Sequence, residues 1–325
     1  MFPMPFPTPR SGRRTVRLTL GVAMAVVAAA TATACSTSSA KGSTTAAAAG
    51  GSGRTIEVVA GENFWGSIAT QLGGSHVKVT SIITNPNTDP HDYEATAADA
   101  RTVAGARYAI VNGIGYDAWA DKLLASNPAS GRAELKVGDL VGIKPGGNPH
   151  RWYSPADVHK VIERITADYK KLDPADAAYF DRQRTTFETK TLAEYNKLIA
   201  DIKAKYAGTP IGASESIVTP LSEGLGLKML TPETFLDAMS EGSDPTAKDK
   251  ATIDRQIADR QIKVYVDNTQ NSTPDVQAQV KAAKAAGIPV AAVTETLAPA
   301  GATFQQWQTT QLRGIEQALA KAIGK

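Results

Sequence analysis

The sequence predicts an α/β protein with two similar lobes joined by one long rigid helix, and a ligand site in the cleft between the lobes. Three observations lead there. Short β-rich runs alternate with helical runs in the first half of the chain, and the alternation repeats in the second half. Between the halves, Ala175 to Ala207 contains neither proline nor glycine. Ligand-type side chains fall in loops past strand ends or just ahead of helices, where open α/β sheets bind their ligands.

The first lobe, residues 54–173, opens with "RTIEVVAG", a short strand pattern. "NFWGSIATQLGG" follows as a helix closed by glycines, a common stop signal. "HVKVTSIIT" is a second strand. The helix in "ATAADARTVAGA" starts with Thr96 and Asp99 at capping-box spacing, and "RYAIVNG" is a third strand. Such alternation gives a largely parallel sheet with helices on both faces. A further capping box is expected in "SPADVHKVIERI", with Ser154 as cap, Pro155 first in the helix and Asp157 third. Val158, Val161, Ile162, Ile165 and Tyr169 then recur at helical spacing.

Residues 174–208 are expected to form the linking helix. At 1.5 Å per residue it would span about 50 Å. Its apolar positions hold no sustained heptad, so it reads as a strut and not a coiled-coil surface. In the second lobe, 209–325, "TPIGASES" gives a strand and turn, "IVTPLSEGLG" a short helix and "IKVYVDN" a strand. "TPDVQAQVKAAKAAG" is a helix, "IPVAAVTE" a strand, and "FQQWQTTQLRGIEQALAKAIG" the closing helix.

Ahead of these lobes, residues 1–35 read as an export signal: basic "RSGRRTVR", apolar "LTLGVAMAVVAAATATA", then Cys35, the chain's one cysteine. The small residues before Cys35 resemble a bacterial lipobox, whose cysteine becomes the lipid-modified N-terminus. A plain secretory signal is the alternative, and Arg13-Arg14 leaves twin-arginine export beside the general route. A lone cysteine in an exported chain has no internal disulfide partner, which favours an anchor. Residues 36–53, small and of low complexity, are expected to be a flexible tether. The expected location is the outer face of a bacterial cell membrane. The net charge of +3 includes Arg10, Arg13, Arg14 and Arg17. Without these four, 31 basic residues face 32 acidic ones, so charge gives no reason to expect a nucleic-acid partner.

Only four histidines occur, and two share a setting. His91 lies in "DPHDYEAT" and His150 in "NPHRWYSP", each after a proline, near an aromatic and shortly before a capped helix. Proline lowers the entropy lost on fixing the side chain. A helix N-terminus disfavours imidazolium and leaves the neutral ring that a metal needs. In the second lobe Glu215 and Glu295 each follow a β-rich apolar stretch, and Asp267 in "VYVDN" could stand in for either. His76 reads as a turn residue, and His159 adjoins the apolar stripe of its helix.

"DPHDYEATAADA" and "NPHRWYSPADV" resemble the two histidine motifs of metal-binding solute receptors that serve ABC importers of zinc, manganese and iron. The resemblance covers the chain beyond the tether, with Asn148 where aspartate is frequent. It implies His91 and His150 as ligands from the first lobe. It implies a third ligand after the first strand of the second lobe, at Glu215, and a fourth after a late strand. There Glu295 stands where aspartate is usual. The cargo would be one divalent transition metal, the partner an ABC permease in the membrane, and the receptor a monomer.

Imidazole and carboxylate donors suit manganese, iron or zinc better than copper(I). Zinc receptors of this family often carry a His-rich loop between the motifs, whereas Asp92 to Pro149 contains no histidine. That puts manganese ahead of zinc, with iron third. The alternatives are a metal-dependent hydrolase and a metal-binding surface adhesin. The chain contains no H-E-x-x-H, G-x-S-x-G, Walker or CxxC pattern, so a binding protein without enzymatic activity is expected.

Overall fold

A computed structural model describes residues 55–324; the expected leader, Cys35 and the tether lie outside the described residues. In the first lobe β1 (Ile56–Glu62), α1 (Asn63–Gly73), β2 (Val77–Ile83), α2 (Ala97–Gly105) and β3 (Tyr108–Val111) follow in turn. Next come α3 (Ala118–Ser126), β4 (Ala133–Lys136), α4 (Val137–Val141) and α5 (Pro155–Leu172). The strands form a parallel sheet in the order β2-β1-β3-β4.

Two expectations about helix ends come out differently. Thr96 and Asp99 make the full reciprocal box at the start of α2. At α5, Ser154 accepts from the Asp157 amide, but the Asp157 carboxylate does not reach back. It takes hydrogen bonds from Arg151 and Lys160 instead. An ionic partner outcompetes a backbone N–H for the same oxygen.

The linking segment is α6 (Ala177–Thr186), a π-turn over Phe187–Thr191, and α7 (Ala193–Tyr206). It is therefore not the uninterrupted helix expected from the absence of proline and glycine. The Leu192 amide bonds to the Phe187 carbonyl at 2.8 Å, an i→i+5 closure that inserts one extra residue into the helical path.

The second lobe contains β5 (Pro210–Ala213), α8 (Thr219–Leu225), β6 (Lys228–Met229), α9 (Glu233–Ser240) and α10 (Ala247–Ala258). It ends with β7 (Val264–Asn268), α11 (Pro274–Ala285), β8 (Val290–Val293) and α12 (Phe304–Ile323). Its sheet is parallel in the order β6-β5-β7-β8, the same arrangement as the first. Strands β4 and β6 carry no sequence signal: β4 has one buried residue, Leu135, and β6 is two residues long.

One apolar core runs through both lobes and the linking segment. Aromatic rings mark its course. Phe64 stacks on Trp152 at 3.9 Å, and Trp152 meets Tyr153, which sits edge-on to Trp307 at 5.7 Å. Trp307 contacts Phe304, and Phe304 contacts Tyr195 of α7. Such pairs add about 0.5–1.5 kcal/mol each beyond the area they bury. Among the described residues no helix is long and apolar enough to cross a membrane.

Candidate metal centre

The loop after β2 is fixed by its own polar residues. The His91 amide donates to Asp89 Oδ1 at 2.8 Å, a local side-chain turn, and the Pro90 carbonyl accepts from Trp119 Nε1 at 3.1 Å. The His91 ring stands edge-on to Tyr116, 4.8 Å between centroids. Tyr116 is placed by a second loop, after β3. There Asp117 accepts from the Asn112 and Gly113 amides, both at 2.7 Å.

His150 is held more tightly. Asn112 Nδ2 donates to the Pro149 carbonyl at 2.9 Å, and Trp152 lies 5.3 Å from the imidazole. His150 Nδ1 lies 3.0 Å from Asn148 Oδ1, which also accepts from the His150 amide. Its other nitrogen, Nε2, faces Glu295 Oε1 at 4.0 Å.

From the second lobe, Glu215 is buried just past β5. Its Oε1 accepts from Asn268 Nδ2 and its Oε2 from Asn271 Nδ2 at 2.6 Å. Glu295 follows β8 and accepts from the Tyr116 hydroxyl at 3.0 Å. These loops face a cleft of about 400 Å³, which His91, His150, Glu215, Glu295 and Asp89 line together.

His91, His150 and Glu295 each offer a ligand atom within 4.8 Å of the other two. Two donors on one ion with bonds of about 2.0–2.2 Å lie at most about 4.4 Å apart. The three are therefore almost at coordinating separation. Glu215 lines the same cleft outside that trio. Asp267 does not line it: it faces a separate hollow beside Lys281 and Lys284, while the next residue, Asn268, points at Glu215. His159 is exposed on α5, and His76 lies at the start of β2.

The electrostatics suit a cation. Burial, then the neighbouring His91 and Arg151, push the His150 imidazole down to about 3. Burial also lowers His91, although Asp89, Asp92 and Glu241 pull the other way. Both rings are then neutral donors near pH 7. Burial raises the Glu215 carboxyl against its bonds from Asn271 and Asn268, with Asp89 adding to the rise. Glu295 is raised by burial and then by Glu215 and Asp89. Crowded carboxylates of this kind ionise readily once a divalent ion joins them. Nothing in the sequence distinguishes Asp89, Tyr116, Asn268 and Asn271 from ordinary polar residues of loops and strand ends.

Two parallel-sheet lobes on a common core, with a His/Glu cleft between them, have the fold of periplasmic metal-binding proteins. The Mn-bound periplasmic metal-binding protein from Candidatus Liberibacter asiaticus (S38A mutant) superposes with a TM-score of 0.70 at 20% identity, over 82% of this chain and all of that one. The periplasmic zinc binding protein TroA from Treponema pallidum gives 0.67 at 19% identity, over 82% and 99%. The chain belongs to the ZnuA family, zinc-uptake complex component A periplasmic, whose model matches residues 58–318. Manganese-binding lipoprotein MntA of Bacillus subtilis is 25% identical over 76% of this chain and 81% of its own length. The Iron-binding protein YfeA of Yersinia pestis is 28% identical over 50% of this chain and 54% of its own. The MntA of Halalkalibacterium halodurans is 26% identical over 39% and 43%. The chain thus spans about half the length of these last two relatives.

Proposed function

We propose that this protein is the extracytoplasmic receptor of an ABC importer, capturing one divalent transition metal in the cleft and delivering it to a membrane permease. The observation that carries the reading is the meeting of His91, His150 and Glu295, from three separate loops and both lobes, within 4.8 Å of one another. His91, His150, Glu215 and Glu295 are the ligands in this reading. Manganese stands ahead of zinc, with iron third. The donor set admits all three. The absence of histidine between Asp92 and Pro149 favours manganese over zinc, as do the relatives named for manganese.

Release proceeds by local loop movement more than by wide opening of the lobes. Glu295 follows Thr294, whose carbonyl lies 2.7 Å from the Tyr153 hydroxyl, and Tyr153 is three residues from His150. Swinging the lobes apart would break that tie and split the shared core. A lipid on Cys35 would hold the receptor at the membrane, as the lipoprotein relatives' names suggest.

Metal titration of the purified chain tests the site. His91→Ala and His150→Ala should each remove the tight equivalent of Mn2+ or Zn2+ while near-UV circular dichroism stays unchanged, and His159→Ala should leave it in place. Tight binding that survives in the His91→Ala/His150→Ala double variant would refute the proposal. Elemental analysis of protein recovered from its native cell under metal limitation identifies the cargo.

A further inference from the structure

A second set of ligand-type side chains meets at the opposite end of the first sheet. His76 closes the turn Gly74–His76 ahead of β2, Asp173 follows α5, and Asp176 ends the short turn before α6. One ligand atom from each lies within 4.8 Å of the other two. His76 Nδ1 is 2.9 Å from Asp176 Oδ2, and the imidazole stacks on Tyr179 at 3.9 Å. The Tyr179 hydroxyl in turn accepts from the Ser75 amide at 3.1 Å, which fixes the turn that presents His76.

These are not ordinary solvated surface acids. The Asp176 side chain is 14% exposed and Asp173 is 7% exposed. The seven residues of β2 separate His76 from the loop of His91 by about 23 Å. The cluster is therefore no part of the cleft, and its chemistry stands independently of the function proposed for the cleft.

We infer that His76, Asp173 and Asp176 form a second divalent-metal site, weaker than the cleft. One imidazole and two carboxylates are borderline-to-hard donors, suited to Zn2+ or Mn2+. Three protein ligands with part of the shell open to solvent leave the remaining positions to water, which lowers affinity relative to a four-ligand site. In the Nε2–H tautomer the Nδ1 lone pair faces Asp176, and a shared cation turns that opposition into joint coordination. The competing explanation is a simple His–Asp hydrogen bond that clamps the β2 turn to the linking segment.

Zn2+ titration of the full chain by calorimetry separates the two. The unmodified protein should take up two equivalents, the second weaker. His76→Gln and Asp176→Asn, which keep polar side chains of similar size, should each weaken only the second equivalent by at least about 10-fold. His150→Ala should remove only the first. Asp173 sits at a helix end, so its substitution is not needed for the decision. Uptake of a single equivalent by the unmodified chain would overturn the site, as would a second equivalent unchanged in both variants. Loss of the tight equivalent in His150→Ala, by contrast, bears only on the cleft.

Discussion

Asn148 holds the His150 ring with one end of its amide and the second lobe with the other. Its Oδ1 accepts from the His150 amide and lies 3.0 Å from Nδ1, while its Nδ2 donates to the Ser216 carbonyl at 2.8 Å. A carbonyl can only accept, so the amide orientation is fixed, and with it the imidazole tautomer. Nδ1 carries the proton and Nε2 keeps its lone pair toward Glu295. An aspartate could orient the ring equally well, but it would set a carboxylate against the Ser216 carbonyl. Asparagine at this position thus ties the lobes together.

Asn148→Ala should weaken Mn2+ or Zn2+ binding by about 10–100-fold, the usual cost of losing a partner behind a metal-binding histidine. Asn148→Asp should keep most of that affinity yet lower the melting temperature of the metal-free protein. Unchanged affinity in Asn148→Ala would mean that His150 is oriented without it.

Tyr116 links the lobes across the cleft by donating to Glu295 Oε1. A hydrogen bond to a charged group contributes about 1.5–3 kcal/mol. Tyr116→Phe should therefore weaken metal binding by roughly 10-fold or more while leaving the edge-on ring of His91 and the tilted ring of Trp152 in place. Competition with a chromogenic chelator measures it. A Phe variant binding as tightly as the parent would mean that the carboxylate is positioned by the Gln270 side chain, which accepts from the Glu295 amide, without the tyrosine.

What the sequence made legible was local. The caps at Thr96 and Ser154 and the apolar stripe of α5 are patterns within a few residues, and the structure has the helices there. The prolines before His91 and His150 drew attention to two loops that do meet. Asp267 shows where such reading ends. Both faces of β7 are buried through Val264, Tyr265 and Val266, so no alternation told which neighbour would face the cleft. Asn268 points at Glu215, and Asp267 faces a separate hollow. The π-turn at Phe187–Thr191 likewise leaves no mark, because an inserted helical residue needs no special side chain.

Register reveals a relation between two glutamates. Val58 pairs with Tyr108 and Ile211 with Val264, so Glu62 lies four residues along β1 where Glu215 lies four along from Ile211. By the same count Asn112 matches Asn268. Glu215 has two asparagine donors, whereas the fully buried Glu62 carboxyl has the Asp117 carboxyl as its side-chain partner, with which it can share a proton. Burial, followed by the nearby Asp117 carboxylate, raises Glu62 well above the usual range. Between the unfolded pKa and the raised folded one, the folded state then binds a proton that the unfolded chain has released. Stability on this account is highest below the unfolded pKa and falls as pH rises toward the folded one. Glu62→Gln removes the titration, so its melting temperature should exceed the parent's at pH 8 and approach it at pH 5. An equal difference at both pH values would show that Glu62 is not protonated by folding.

The shared core makes a last expectation about cooperativity. Receptors whose lobes hinge freely bury little between them, and each lobe can melt alone. Here the aromatic path from Phe64 through Trp152, Tyr153 and Trp307 crosses from one lobe to the other. The Phe304 amide also donates to Ser67 Oγ at 2.9 Å, and Gln305 pairs with Gln71. Separating the lobes would expose these rings to water at roughly 25 cal/mol per Å². The metal-free chain should therefore unfold in one calorimetric transition whose van't Hoff and calorimetric enthalpies agree. Metal at about 100 times its dissociation constant adds about 2.7 kcal/mol and should move that single transition up by roughly 5–10 °C. His150→Ala should lose the shift while keeping one transition. Two resolved transitions, with only one responding to metal, would mean that the lobes fold separately and would return hinge opening to the release mechanism.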